Sequence, residues 1–310
     1  MTRHTRLRTR ARIAALGLAA CLAMVSACAE GPGGASSTMP VPTEALQKVP
    51  AAASGTALEP VASRSLSPVY WLGERDSTVY LYREYVRAED QGDPVTTSIK
   101  HMLEQSPEDP DFFNVWSPAS RIGTSISADN VITVDLSADA FARRLDAGLA
   151  QRAIQQLVFT ATSAAANAGL LGGAAAEVVL LVDGRAGHEA FGHVPLDRPL
   201  SRDATFGAPI WIVDPVQGGV ATGNPVRIHG YAADFPAGTR WEVRQTDGGK
   251  ADPVVASGTV RTGEADLAAN EFEISLTLPR GSYRLAVWGA PPTGTGRLAE
   301  DTKDFTVQGN

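Results

Sequence analysis

A chain of 310 residues, 44% hydrophobic and 20% charged, has the composition of a soluble globular protein and the length of about two domains. Its formal net charge of −7 includes a leader, residues 1–27, with five Arg and no Asp or Glu; without it, 22 basic residues face 34 acidic ones, a net charge of −12. This balance argues against nucleic acid as a partner and against electrostatic adhesion to anionic lipid. Because Cys21 and Cys28 are the only cysteines, we expect no disulfide in the folded part.

The first residues have the organisation of an export signal. A basic segment, residues 1–12, precedes an apolar run from Ala14 to Val25 that is short for a bilayer span and typical of a signal peptide. The run ends in Val25-Ser26-Ala27-Cys28, which resembles the bacterial lipobox. We therefore expect residues 1–27 to be removed and Cys28 to carry a lipid with two acyl chains, which suffices for stable anchoring. The alternatives are an ordinary signal peptide or an uncleaved anchor.

The composition changes after the leader. Residues 28–68 are rich in Gly, Ser, Pro and Ala and lack periodicity, which predicts a flexible tether. A second apolar stretch, residues 157–182, contains Asn167, Glu177 and several glycines. A bilayer helix tolerates these poorly, so the stretch is interpreted as a helix, a glycine loop and a buried strand.

The first predicted domain spans residues 69–198 and alternates strand and helix patterns. Its predicted strands are 69–72, 78–85, 121–126, 131–136 and 177–182. Asp93-Pro94 is a helix start, followed by apolar residues at helical spacing until Ser106-Pro107. A second helical region follows Ser137. The order ββαββαβ predicts an α+β domain with helices on one face of a sheet.

A polar joint, residues 195–209, precedes the second predicted domain, residues 209–310. Seven short strands are predicted there, and residues 271–278 alternate strictly between apolar and polar side chains. About seven strands in a hundred residues predict an all-β immunoglobulin-like sandwich.

These patterns carry a family resemblance. Leu81-Tyr82-Arg83-Glu84, residues 131–137, residues 156–162 and residues 178–184 make the first domain resemble the GerMN domain of sporulation and germination proteins. Ile212-Val213-Asp214-Pro215, residues 226–232 and Phe272 make the second similar to the Gmad2-type immunoglobulin-like module. The glycine-rich insert 169–176 departs from the usual pattern. The resemblance implies a non-enzymatic envelope protein involved in assembly, and the Ala, Gly and Arg bias fits an actinobacterial host.

Several segments partly resemble motifs of enzymes or metal sites, but none supports a catalytic, cofactor or metal site. His188-Glu189-Ala190-Phe191-Gly192-His193 has two histidines at i, i+5, which does not place them on one helical face as zinc binding requires, so it predicts a solvated loop. Residues 169–173 lack a dinucleotide fingerprint, and residues 123–127 lack the final Gly of a nucleophile elbow.

Two further groups have open interpretations. Glu108, Asp109 and Asp111 predict a solvated turn, with an ion site as the alternative. Aromatic residues of the strands predict core positions, with a ligand surface as the alternative; they are Tyr70, Trp71, Tyr80, Tyr82, Tyr85, Trp211, Trp241 and Trp288.

The sequence therefore predicts a non-enzymatic protein anchored through Cys28 at the outer face of the cytoplasmic membrane. Its expected partners are the membrane, through the lipid, and an envelope protein or a second copy of itself. The alternative is a binding module for a cell-wall glycan or peptide.

Overall fold

The structure, a computed structural model, describes residues 66–172, 175–246, 253–263 and 270–308. These residues fall in one compact unit. The predicted leader, most of the predicted tether and Cys28, the predicted lipidation site, lie outside the described residues.

The N-terminal part has the predicted order of strands and helices, with several short additions. Its main elements are β1 (Ser67–Arg75), β2 (Thr78–Val86), α1 (Pro94–Glu104), β3 (Phe112–Phe113), β4 (Ile122–Ile126), β5 (Val131–Leu136), α2 (Ala147–Asn167) and β6 (Glu177–Val182). A 3-10 helix, Ala138–Phe141, precedes α2, and the short strands β7 (Glu189–Ala190) and β8 (Val194–Pro195) follow β6. The additions that the sequence did not predict are β3, β7, β8 and the 3-10 helix.

Both helices begin where a side chain accepts hydrogen bonds from the first turn. The Asp93 carboxylate accepts from the Thr96 amide, with Pro94 at the first helical position, and Asp146 accepts from the Leu149 amide. Burial raises the pKa of Asp93, but hydrogen bonds from Thr124 and Thr96 outweigh this, so its pKa lies below the usual range. The predicted helix start at Asp93-Pro94 is confirmed.

Two three-stranded sheets form the framework of the N-terminal part, in the orders β2-β1-β3 and β4-β5-β6. β5 and β6 are parallel, with α2 as the connection between them, and the predicted β4–β5 hairpin is antiparallel. α2 is joined to β1 by two buried hydrogen bonds. The Tyr70 amide donates to Thr160 Oγ1 at 3.1 Å, and Gln156 Nε2 donates to the Tyr70 carbonyl at 2.8 Å.

The C-terminal part is the all-β sandwich that the sequence predicts. Its strands are β9 (Ile210–Asp214), β10 (Gly219–Ala221), β11 (Val226–Ala232), β12 (Thr239–Gln245), β13 (Val254–Thr259), β14 (Glu271–Leu276), β15 (Gly281–Gly289) and β16 (Leu298–Val307). One sheet has the order β14-β11-β9 and the other β10-β16-β15-β12-β13. β10, which the sequence did not predict, pairs in parallel with β16.

The sandwich buries its own apolar cluster, and the alternation in β14 explains how. Phe272 is fully buried while Glu273 is exposed, the period-two pattern of a strand with one wet face. Phe272 packs with residues of both sheets; among them are Ile228, Val243, Leu285, Val287 and Val307. The fold class predicted from the sequence, an α+β part followed by an immunoglobulin-like sandwich, is confirmed.

The apolar stretch 157–182 divides as predicted into the end of α2, a glycine-rich connection and β6. Among the described residues, no helix combines the length and the apolar character that a membrane crossing requires.

Candidate functional site

The His188–His193 segment forms most of a tight hairpin. β7 pairs with β8, and the His193 amide donates to the Ala190 carbonyl at 3.0 Å. Phe191 and Gly192 both have positive φ, at 53° and 73°, as the central residues of a type I′ turn require. The predicted solvated loop agrees with the exposure of Glu189, Gly192 and His193, but not with Ala190, which is fully buried, or with Phe191, which is half-buried and packs against the apolar cluster.

Phe191 is held in its unusual conformation by other aromatic rings. A bulky residue with positive φ is a backbone outlier. Its ring centroid lies 5.2 Å from that of Trp116 and 5.3 Å from that of Phe141, and both contacts are tilted or edge-on. Such arrangements are favourable for aromatic pairs. The packing of the ring therefore offsets the strain of the turn and fixes the hairpin against the segment before α2.

A cleft of about 490 Å³ lies between this hairpin and residues 138–145. We call it the hairpin cleft. Its lining includes two arginines, two histidines and two phenylalanines; these are Arg143, Arg144, His188, His193, Phe141 and Phe191. Its volume is in the range of small-molecule and peptide side-chain sites. A second cleft of about 520 Å³ is lined by Trp116 and Phe112 and shares Arg143 with the first.

The cations of the hairpin cleft are not neutralised by the protein. Arg143 and Arg144 are exposed, and within the described residues neither guanidinium has a hydrogen bond or an ion pair. His193 Nε2 lies 3.0 Å from the Leu145 carbonyl oxygen, which can only accept, so this nitrogen carries the proton. Glu189 is the one acidic residue in the lining. The cleft is therefore cationic although the chain as a whole is acidic.

A buried ion cluster joins the N-terminal part to the sandwich. Lys303 of β16 forms an ion pair with Asp109, and its Nζ lies 3.9 Å from the Asp301 carboxylate. All three side chains are buried, and Asp301 is 0% exposed. Glu84 of β2 accepts the amide hydrogens of residues 108 and 109, at 3.1 and 2.9 Å, and so holds the loop that carries Asp109.

Burial and the neighbouring charges shift the pKa values of Lys303 and Asp301 in opposite directions. Burial lowers the pKa of Lys303, but the carboxylates of Asp301 and Asp109 outweigh it, so the pKa lies above the usual value. Burial raises the pKa of Asp301, and the positive charge of Lys303 only partly counteracts this. The cluster is consistent with a structural role, since every charged member faces an opposite charge or a backbone amide.

Further contacts between the N-terminal part and the sandwich lie at the more exposed side of the ion cluster, and together they form the junction of the two parts. Arg75 Nη2 lies 2.7 Å from the Asp111 carboxylate, and Arg75 Nε donates to the Glu300 carbonyl at 2.7 Å. The Asp76 carboxylate accepts from the Ala299 amide at 2.8 Å. Trp211 and Tyr231 of the sandwich belong to the apolar cluster of the N-terminal part. The sequence prediction of a solvated turn at residues 108–111 is therefore wrong for Asp109, which is an interface residue.

The other candidate residues lie in ordinary structural surroundings. Tyr70, Trp71 and Tyr82 are fully buried, which confirms their prediction as core and removes them as a ligand surface. Trp211 and Trp241 are also buried. Residues 123–127 include most of the β4 edge strand. The described residues contain no group of three or more His, Cys, Asp or Glu side chains placed to hold a metal ion.

Comparison with known proteins identifies the N-terminal part. Residues 68–187 match the family model described as "Germane: Sporulation and spore germination". No curated protein matches the chain. Solved structures with some likeness include the tandem GerMN domains of the sporulation protein GerM from Bacillus subtilis, at 16% identity and TM-score 0.33 over 46% of this chain and 47% of that one.

Two more solved structures have similarly low sequence identities and TM-scores. The first GerMN domain of the same Bacillus subtilis protein is 15% identical with TM-score 0.35, over 44% of this chain and 97% of that one. A putative lipoprotein from Clostridium perfringens is 14% identical with TM-score 0.30, over 45% and 88%. The chain thus spans about half the length of the tandem-domain structure.

The described residues therefore contain a segment that matches the Germane family model, followed by a β-sandwich. Residues 68–187 are a GerMN, or Germane, domain, as the sequence predicted. The assignment of the sandwich to the Gmad2 type stays a prediction.

The hairpin cleft and the ion cluster were both missed by sequence reasoning. The adjacent arginines 143 and 144 were a visible signal for the first, but nothing local linked them to a hairpin more than forty positions later. For the second, the signal was that Asp301 and Lys303 alternate in phase with Phe305 and Val307, so that two charged residues share the buried face of β16.

Proposed function

We propose that this protein is anchored through a lipid on Cys28 at the outer face of the cytoplasmic membrane and acts by binding another envelope protein, without catalysis. The signal-like leader and the lipobox resemblance of residues 25–28 support the anchor. The GerMN domain supports a role related to sporulation or germination modules. The composition of the chain supports an actinobacterial host.

One observation carries the proposal of protein binding: β13 is an edge strand whose own residues include neither a charge nor a proline. Within the described residues it pairs only with β12. Its six residues, Val254–Thr259, include no charge and no proline, and nearly all are exposed. Natural edge strands are normally blunted by charges, prolines or covering loops because free backbone groups pair with other chains. β13 is therefore suited to accept a strand from a partner protein.

Exposed apolar side chains at the same edge support this proposal. Val254 is 45% exposed and Val255 is 43% exposed. A partner strand laid along β13 would cover these side chains and pair with the backbone at the same time. The alternative, a glycan-binding surface made by the strand aromatics, loses five of its eight candidate rings to burial, whereas Tyr80, Tyr85 and Trp288 are half-buried.

The proposal is tested with a photo-crosslinking residue placed at position 255 of the full-length protein in intact cells. We expect one specific protein adduct, lost in the variant Val254→Lys, because a charged edge disfavours strand pairing. Leu170→Lys is the matched control, since Leu170 is an equally exposed apolar residue (46%) of the N-terminal part. An adduct that persists in Val254→Lys, or retention on purified wall glycan without any protein adduct, would contradict the proposal.

A further inference from the structure

The hairpin cleft has the chemistry of a second binding site, separate from β13 and independent of the proposed function. Four nitrogen-bearing side chains, two of them permanently charged guanidinium groups, border it. Some other arginines of the described residues are paired: Arg121 with Asp135 and Asp183, and Arg75 with Asp111. Arg143 and Arg144 have no such partners within the described residues.

The aromatic side of the cleft gives it a second chemical character. Phe141 and His188 lie in tilted contact at 5.5 Å, and Phe191 closes the same group. Phe191 remains partly exposed although its backbone is strained. The rings therefore present a packed apolar surface next to two exposed guanidinium groups. A ligand that contacts the aromatic rings and the guanidinium groups together must carry an anion beside an apolar group.

We propose that the hairpin cleft binds a peptide segment through a carboxylate, held by Arg143 and Arg144, whose neighbouring apolar side chain packs on Phe191. The guanidinium fork matches a carboxylate with two parallel hydrogen bonds. The aromatic rings provide the apolar contact that gives such a site its orientation.

Charge decides between this ligand and a phosphate-bearing polymer, which offers the same kind of anion. The two guanidinium groups belong to adjacent residues that line the hairpin cleft, and Arg143 also borders the second cleft. Outside the cleft the chain is acidic, at −7 with the leader and more negative without it. A polyanion would be repelled wherever it left the cleft, whereas a peptide with one carboxylate would not. The observations therefore favour the peptide.

The histidines of the hairpin cleft allow ligand binding to be followed by NMR. It has five histidines, two of which, His188 and His193, line the cleft. The probe is acetyl-phenylalanyl-glutamate amide, added to the full-length protein in detergent micelles, and the imidazole Cε1–Hε1 signals are followed by NMR. The signals of His188 and His193 are assigned with the single variants His188→Gln and His193→Gln.

We expect the signals of His188 and His193 to shift while those of His101 and His229 stay unchanged. The double variant R143Q/R144Q should bind at least about tenfold more weakly, because two charge-assisted hydrogen bonds are lost. R143K/R144K should bind with intermediate strength, since it keeps the charge but not the fork. The control R240Q/R280Q removes two exposed arginines of the sandwich and should bind like the wild type.

Three outcomes would overturn the proposal. One is equal binding of the matched peptide acetyl-phenylalanyl-glutamine amide, which has no carboxylate. Another is unchanged binding by R143Q/R144Q with an unchanged melting temperature. The third is displacement of the peptide by poly(glycerol phosphate) at a lower concentration of anionic groups, which would identify a phosphate polymer as the ligand.

Discussion

At the scale of single residues, Lys303 has the largest expected effect on stability. It is buried and forms an ion pair with Asp109, and its Nζ lies 3.9 Å from the Asp301 carboxylate. Replacing it with Met, which keeps most of the side-chain volume, leaves Asp301 and Asp109 buried without their counter-charge. We expect Lys303→Met to lower the free energy of unfolding by about 3–5 kcal/mol in urea denaturation.

Two comparison variants separate this effect from the general loss of an ion pair. Arg284→Met removes an exposed partner of Asp304 and should cost no more than about 1 kcal/mol. Adding Asp109→Leu to Lys303→Met should restore part of the loss, because fewer buried charges remain unpaired. If Lys303→Met lowers the free energy of unfolding no more than Arg284→Met does, the ion cluster contributes little to the stability of the contact between the N-terminal part and the sandwich.

At the scale of elements, the β7–β8 hairpin should reverse the usual order in which glycine and alanine substitutions lower stability. Glycine is normally more destabilising than alanine, because it is more flexible in the unfolded chain. At Phe191, φ is 53°, and this conformation costs an alanine about 1 kcal/mol that a glycine does not pay. Both variants lose the ring contacts with Trp116 and Phe141. We therefore expect Phe191→Ala to be less stable than Phe191→Gly in urea denaturation.

The neighbouring Ala190 provides the control for this order. It lies in β7, outside the positive-φ positions, so Ala190→Gly should be destabilising in the ordinary direction. If Phe191→Ala proves more stable than Phe191→Gly, the backbone at this turn does not have the described conformation in solution.

The elements also show which part of the fold could be predicted. Asp93-Pro94 and the alternation in β14 are local signals, since a cap and a strand face are read from adjacent residues. Both were predicted correctly. The Lys303–Asp109 pair joins residues 194 positions apart. The cleft side opposite the hairpin is the segment 138–145 that precedes α2. Such long-range pairs depend on how the elements pack, and no local pattern specifies them.

At the scale of the whole molecule, the strongest prediction concerns attachment to the membrane. Cys28 is expected to carry the lipid, so Cys28→Ala should move the protein from the membrane fraction to the soluble fraction. Cys21→Ala is the matched control, because Cys21 lies in the apolar run and should be dispensable. Mass spectrometry of the N-terminal peptide should find the lipid on Cys28 in the wild type. A membrane-bound Cys28→Ala variant would show that the lipoprotein prediction is wrong.

Helix α2 has a further consequence for orientation. Its 21 residues span about 30 Å. At its C-terminal end, Asn167 Nδ2 donates to the Leu66 carbonyl at 3.2 Å, where the chain enters the described unit. At its N-terminal end, Leu145 contacts His193 of the hairpin cleft. In the proposed anchored form, the length of α2, about 30 Å, would separate the hairpin cleft from the point where the chain enters the described unit.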